Sequence, residues 1–477
     1  MLRQGSLFFR AQAERHWTGE QEAGGKLELR VPLDHADCHR HALTAIRFMY
    51  TSELASSDTA ELLGVRRMAS FLGVEGCVEA VDAALLAQTR TLKALRRDVH
   101  GMHQCLRLLP DSDEGPAASA LRSAFRAAFR AQLAAHPGGL PRGGQLMMGE
   151  VLAWAYSDAP SVLSDPVSRK QLLALSADAI EALLSNDTFA TDNEDSVLLL
   201  LAEWLDAQSR WAVLPGTRKR LCRCVRLCQL SGVYLHGMLP LLEWFPVSAA
   251  ELRFICQYRE ATDEWHALKL RAAAQKAGFD TSSAWYSRTA RPRGRSDAGV
   301  PYEWIISREK MEAGAAKLLG RKKAKGIMLD ATFTSGAKSV VACGFEWAPQ
   351  LCMESAASRA AGAYLFCELP AALKLTIKEG DAQALVGTAS PGACTLAVFR
   401  GRGTEGGERE VAAAQEYASG HVPLGRGRGS GDALPLLPPQ PLLGGAAAPA
   451  AAQAVLARWE PYLEDGKVCG CLAWAAA

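Results

Sequence analysis

Chemistry in this chain of 477 residues would have to rest on a few clusters of reactive side chains. Asp34-His35-Ala36-Asp37-Cys38-His39-Arg40-His41 concentrates metal-binding types. Zinc needs four convergent ligands, as CxxC with a distant HxxxH supplies them. This cluster is local and has no second half, so it reads as a solvated loop. Cys222, Cys224 and Cys228 lack a zinc-ribbon spacing. On a helix, Cys224 and Cys228 would share one face with Leu221, which predicts buried core thiols. Cys469 and Cys471 alternate as in a strand and also read as core. Gly401-Arg402-Gly403-Thr404-Glu405-Gly406 matches GxGxxG, but a dinucleotide site needs a βαβ unit around it. The surroundings are rich in Gly and Pro, and a flexible loop is expected. The basic run Gly320-Arg321-Lys322-Lys323-Ala324-Lys325-Gly326 lacks P-loop order and reads as a solvated loop, with an import signal or phosphate patch as the other reading. Asp192, Glu194 and Asp195 gather at a helix start, where acids favour the helix dipole. Neither GxSxG nor HExxH occurs. The expectation is a non-catalytic chain with no catalytic residues, no metal and no cofactor.

Composition is that of a globular chain and not a disordered one. Hydrophobic residues are 49% and charged residues 22%, enough apolar surface for sizeable cores in two to four domains. Lys and Arg number 53 against 51 Asp and Glu, a net charge of +2, which disfavours a basic nucleic-acid binder. The longest uncharged stretch, Ala433 to Ala457, is broken by five prolines and cannot form a membrane helix. The first residues lack the apolar core of a signal peptide, and the 13 cysteines are odd in number. A soluble protein of the reducing cytoplasm is expected, with the nucleus open to it.

Periodicity places these residues on elements. His41 to Tyr50 carries Leu43, Ile46 and Tyr50 on one helical face. Asp58 and Glu61 cap a helix with Leu62, Val65, Ala69 and Leu72, which Gly73 stops, and Val74 to Leu86 makes the next. Leu27 to Val31 alternates like a short strand. Ala118 to Ala135 is an Ala-rich helix. Thr191 and Glu194 form a capping box before Val197 to Leu205, followed by helices over Leu221 to Leu230 and Tyr234 to Phe245. After about residue 290 the period changes to two: Val341, Cys343, Phe345 and Trp347 alternate, as do Leu373 to Lys378. Tyr364 to Leu369, Thr395 to Arg400 and Lys467 to Trp474 are further strands, with a turn at Asp465-Gly466. Such strands each present one apolar face, so two antiparallel sheets must cover each other. Trp347 is placed in that core.

Three stretches resemble known families. Ala45-Ile46-Arg47-Phe48-Met49-Tyr50-Thr51-Ser52-Glu53-Leu54 resembles the "fMYTgel" heart of the BTB (POZ) domain, a helix end that in that family enters a short strand. Ala60 to Leu72 and Gly73-Val74-Glu75-Gly76-Cys77 look like its closing helices, and Gly5 to Arg10 its "SpyF" helix. Met1 falls just before that helix, so the two strands and helix that open the family's fold are expected to be missing. Leu183 to Asp187, Asn193 to Val197, Trp204 and Cys224 to Ser231 resemble the BACK domain. Gly344-Phe345-Glu346-Trp347 and Tyr462 to Val468 are similar to MATH/TRAF-like strands.

The resemblance implies an α+β multidomain chain, mostly helical through its BTB and BACK region and ending in an antiparallel β-sandwich. Its divisions are a shortened BTB at 2–90, a helical linker at 91–164, a BACK-like domain at 165–260 and a MATH-like domain at 300–477 with a disordered insertion at 401–452. BTB–BACK proteins serve as substrate adaptors of cullin-3-type ubiquitin ligases. The partners implied are such a cullin, held by Phe48, Met49, Tyr50 and Leu54, and a protein substrate on the β domain. A homodimer is left open by the missing front, and neither nucleic acid nor membrane is expected. The rival is a non-ligase oligomerising scaffold or transcriptional regulator.

Overall fold

A computed structural model describes residues 2–18, 30–33, 35–91, 99–135, 145–294, 301–320, 326–373, 375, 381, 387–390, 392–401, 409–417, 421–438 and 448–474. The chain is helical in its first half and antiparallel β-rich in its last part, as the periodicities predict. It forms two compact units, one of residues 1–155 with 174–183, the other of 156–173 with 184–477.

In the first unit the helices Asp37–Thr51, Thr59–Leu72, Cys77–Thr91, Val99–Leu108 and Pro116–Ala135 bury Ala45, Leu62, Leu63, Leu72, Val81, Leu121, Phe125 and Phe129. Asp58 caps the second of these through the N–H groups of Ala60 and Glu61. Gly73, at φ +56°, ends it in the left-handed conformation that suits glycine. A Cβ on Gly64 would lie 2.4 Å from the His41 ring, so glycine lets the Asp37–Thr51 helix approach closely. Asp37 to His41 therefore belong to a helix and not to a solvated loop. Arg66, buried, is paired with Asp82 at 2.7 Å and Glu114 at 2.9 Å, which ties three segments together. Residues 27–29 of the expected first strand lie outside the described residues, and Arg30 and Val31 are irregular.

The second unit joins a helical module, running to about residue 294, to the β-rich region. That region has strands β1 (Tyr302–Ile306), β2 (Ile327–Asp330), β3 (Thr332–Phe333), β4 (Val340–Ala342), β5 (Phe345–Met353), β6 (Ala360–Glu368), β7 (Thr388–Ala389), β8 (Cys394–Phe399), β9 (Val411–Tyr417), β10 (Val422–Pro423), β11 (Arg426–Pro435), β12 (Leu463–Glu464) and β13 (Lys467–Trp474). One sheet has the order β3-β1-β13-β8-β9, with β12 on β13; the other has β11-β6-β5-β2, with β4 on β5. β13 is central, between β1 and β8, and Asp465-Gly466 makes the two-residue turn before it, with both φ positive. β5 alternates strictly between buried and half-buried residues, with Phe345, Trp347, Leu351 and Met353 turned inward.

Three expectations are corrected here. Val341 to Trp347 is a hairpin and not one strand: Val340 pairs with Trp347 and Ala342 with Phe345. Directly opposed residues share a face, so Val340 and Ala342, and not Val341, side with Trp347. The insertion at 401–452 is not disordered throughout: β9 pairs with β8, β11 pairs with β6, and Ala448–Ala457 is a helix. Leu373 closes a short 3-10 turn, Ala371–Leu373, while the rest of that expected strand falls largely outside the described residues. Residues 321–325 and 402–408 also lie outside them.

Candidate functional site

The helical module is organised around one helix start. Asn193 caps the Glu194–Ala207 helix by accepting from the N–H groups of Asp195 and Ser196. The Thr191 hydroxyl donates to Asn193 O at 2.6 Å, so the expected Thr191–Glu194 capping box is replaced by an asparagine cap. Glu194 is then free to point into the core. It accepts from Arg291 Nε at 3.0 Å and from the backbone N–H of Arg226 at 2.9 Å. Both side chains of the Glu194–Arg291 pair are 1% exposed. Arg291 also donates to the carbonyls of Leu184 at 2.6 Å, Asn186 at 3.0 Å and Cys224 at 3.2 Å. A buried ion pair is tolerable when its remaining donors and acceptors are satisfied in this way.

This network explains why Leu221 to Leu230 is not one helix. The helix Pro215–Cys222 stops, and a 3-10 turn, Leu227–Gln229, follows. Between them the Cys224 carbonyl is taken by Arg291 and the Arg226 N–H by Glu194. Tyr234 to Phe245 is likewise broken into a π-turn, Val233–Met238, and a 3-10 turn, Leu239–Leu241, where Pro240 supplies no N–H. Cys222, Cys224 and Cys228 are all buried, in packing positions. Burial pushes the Cys222 thiol well up and that of Cys228 up to about 12, which makes both poor nucleophiles. Cys469 is buried and Cys471 half-buried in β13.

The acids at 192–195 have separate duties. Asp195, buried, accepts from Ser231 N at 2.8 Å. Burial raises its carboxyl to about 7, against the Ser231 hydrogen bonds and helped by the charges of Asp192 and Glu194. Glu203 is also raised to about 7 by burial, although Arg169 grips both its oxygens at 2.6 Å. Asp192 accepts from the backbone N–H of Cys343. The helix dipole alone therefore does not account for these residues.

In the first unit the four residues expected to touch a partner occupy the end of the Asp37–Thr51 helix and the segment after it. Phe48 is 8% exposed and packs inward, Met49 and Leu54 are half-buried, and Tyr50 is 54% exposed. Ser52, at φ 55°, ends the helix in a left-handed conformation, and residues 52–58 are irregular where the family resemblance implies a strand. Around Gly73 a second apolar surface is open: Leu7 and Phe71 are exposed, and Phe8 packs on Phe71 at 5.5 Å. Among the described residues no group of three or more His, Cys, Asp or Glu is placed to hold a metal, and no helix is long and apolar enough to cross a membrane.

Comparison with known proteins bears on the helical module. A family model, BACK (BTB And C-terminal Kelch), matches residues 159–239. The match covers the Ala159–Ser164 helix through the π-turn at Val233–Met238, including Asn193, Glu194 and Trp204. No curated protein matches the chain. The match supports the BTB–BACK resemblance for this part. The module continues past it, since the segment to Gly294 returns to supply Arg291, and Trp285 donates to Cys222 O at 2.8 Å.

Proposed function

We propose that this chain is a non-catalytic adaptor that joins a cullin-3-type scaffold to a protein substrate. The observation that carries the reading is the BACK match over 159–239, seated on a well-buried helical module. In this proposal Tyr50 is the exposed anchor, Met49 and Leu54 are its rim, and Phe48 holds the helix end from beneath. An exposed aromatic on a rigid helix is the type of residue that dominates protein interfaces. The β-rich region, with its MATH-like motifs, is proposed to hold the substrate, and the cytoplasm is the proposed location.

Calorimetry of the full chain against the N-terminal region of cullin-3 tests this. Binding that weakens at least about tenfold in Tyr50→Ala supports the adaptor. The second reading, an oligomerising scaffold, is favoured by the exposed Leu7 and Phe71. Absence of cullin binding, with self-association lost in Phe71→Asp, would select it instead.

A further inference from the structure

We infer that the helical module carries a receptor site for a tight hairpin turn, and that the Cys343–Gly344 turn seated in it locks the β-rich region to the module as one rigid body. The site is built from three segments: Ser164, the helix start at Asp192, Asp195 and Ser196, and Tyr234. It reads the backbone of the turn. Asp192 accepts from the Cys343 N–H, and the Ser196 hydroxyl accepts from the Gly344 N–H at 3.0 Å. The Tyr234 hydroxyl donates to the Gly344 carbonyl, and the Ser164 hydroxyl accepts from the Val341 N–H at 2.9 Å. The Tyr234 ring meets Phe345 edge-on at 5.2 Å.

The shape of the turn is selected as well as its polarity. Cys343 has φ 51° and Gly344 φ 76°, the left-handed pair of a tight hairpin turn. A Cβ on Gly344 would lie 2.6 Å from Asp195 Cβ and 2.7 Å from the Tyr234 hydroxyl oxygen. Only glycine both adopts this conformation and fits the space. Four backbone groups of one hairpin paired with side chains of another fold form a fitted site, because each would cost free energy if buried unpaired.

A second grip fixes the orientation. Trp244 Nε1 donates to Leu373 O at 2.8 Å, and Arg210, stacked 4.9 Å over the Trp244 ring, donates to the Ala372 carbonyl. One contact leaves a body free to pivot; two grips on separate turns of the β-rich region remove that freedom. The region is then presented in one orientation, whichever partner it holds.

Hydrogen exchange of the full chain, followed by mass spectrometry, tests the lock in Gly344→Ala, Tyr234→Phe and Ser196→Ala. The expected result is joint loosening: peptides over 191–207, 340–347 and 371–373 exchange faster together, by about tenfold or more in Gly344→Ala. Peptides over 411–417 and 421–435 should keep their protection, since β9 pairs with β8 and β11 with β6, not with the hairpin. If Gly344→Ala does not fold, the other two variants decide. The inference is overturned if Tyr234→Phe and Ser196→Ala leave all these segments unchanged. It is overturned equally if they loosen the hairpin alone, or if they also strip protection from 411–417 and 421–435.

Discussion

Arg291 holds its charge where water does not reach, and one carboxylate and three carbonyls depend on it. Arg291→Met removes the partner of a buried charge, so it should cost about 3–5 kcal/mol in chemical denaturation. A cost below about 1 kcal/mol would show the pair to be dispensable. Trp347, fully buried with its Nε1 donating to Ala342 O at 2.9 Å, should cost about 3–5 kcal/mol as alanine. An unchanged melting point for Trp347→Ala would contradict its place in the core. Asp195 adds a pH dependence. Its folded pKa of about 7 stands above the unfolded value near 4, so between these values the folded chain keeps a proton that the unfolded chain has lost. Its contribution to stability is full below about pH 4 and is lost as pH rises through about 7. Denaturation midpoints should therefore fall between about pH 4 and about pH 7, and Asp195→Asn should flatten that fall. A slope identical in the variant would exclude Asp195 as its source. Of these residues, Trp347 was legible from its period of two with Phe345, although the same period carried back to Val341 crosses a turn. Arg291 was not, because its carboxylate partner lies 97 residues away and the local pattern around Glu194 reads as a helix cap, not as half of a buried ion pair.

At the scale of elements, composition misleads most where side chains cross strands. The run Arg426-Gly427-Arg428-Gly429-Ser430-Gly431 has the makeup of a flexible loop, yet it is the first part of β11. A Cβ on Gly427 would lie 2.3 Å from the Phe366 ring, and one on Gly429 would meet Ala363 O and the Tyr364 backbone. Glycine is there because β6 lays its own side chains and backbone over the neighbouring strand, which no single-strand pattern reveals. Deleting residues 411–435 should therefore unfold the β-rich region, since β9 and β11 close its two sheets on β8 and β6. Circular dichroism of the deleted full-length chain gives the check: loss of the β signal is expected, and an unchanged spectrum would return the segment to the status of an insertion. The contrast with β13 is instructive. Lys467 to Trp474 was legible end to end, because its Asp465-Gly466 turn and apolar positions specify the same register.

For the molecule as a whole, helix and strand order followed from the change of period, and the presence of a BACK-like part from short motifs. The partition into units did not follow, because it depends on which apolar faces meet. The chain passes between its two compact units at 155/156, 173/174 and 183/184, so the BACK-matched stretch lends residues 174–183 to the first unit. Ile180 and Leu183 in that loan are fully buried. A fragment of residues 156–477 would keep the second unit's sheets and its Glu194–Arg291 network while removing the rest of the first unit. Each of the two side chains left bare would forfeit about 1.5–3 kcal/mol of burial. The fragment should bind a hydrophobic dye and melt below the full chain, with the β-rich signal lost last. A fragment that melts with the full chain and binds no dye would mean that residues 174–183 find their burial within the second unit, and that the chain divides cleanly near residue 156.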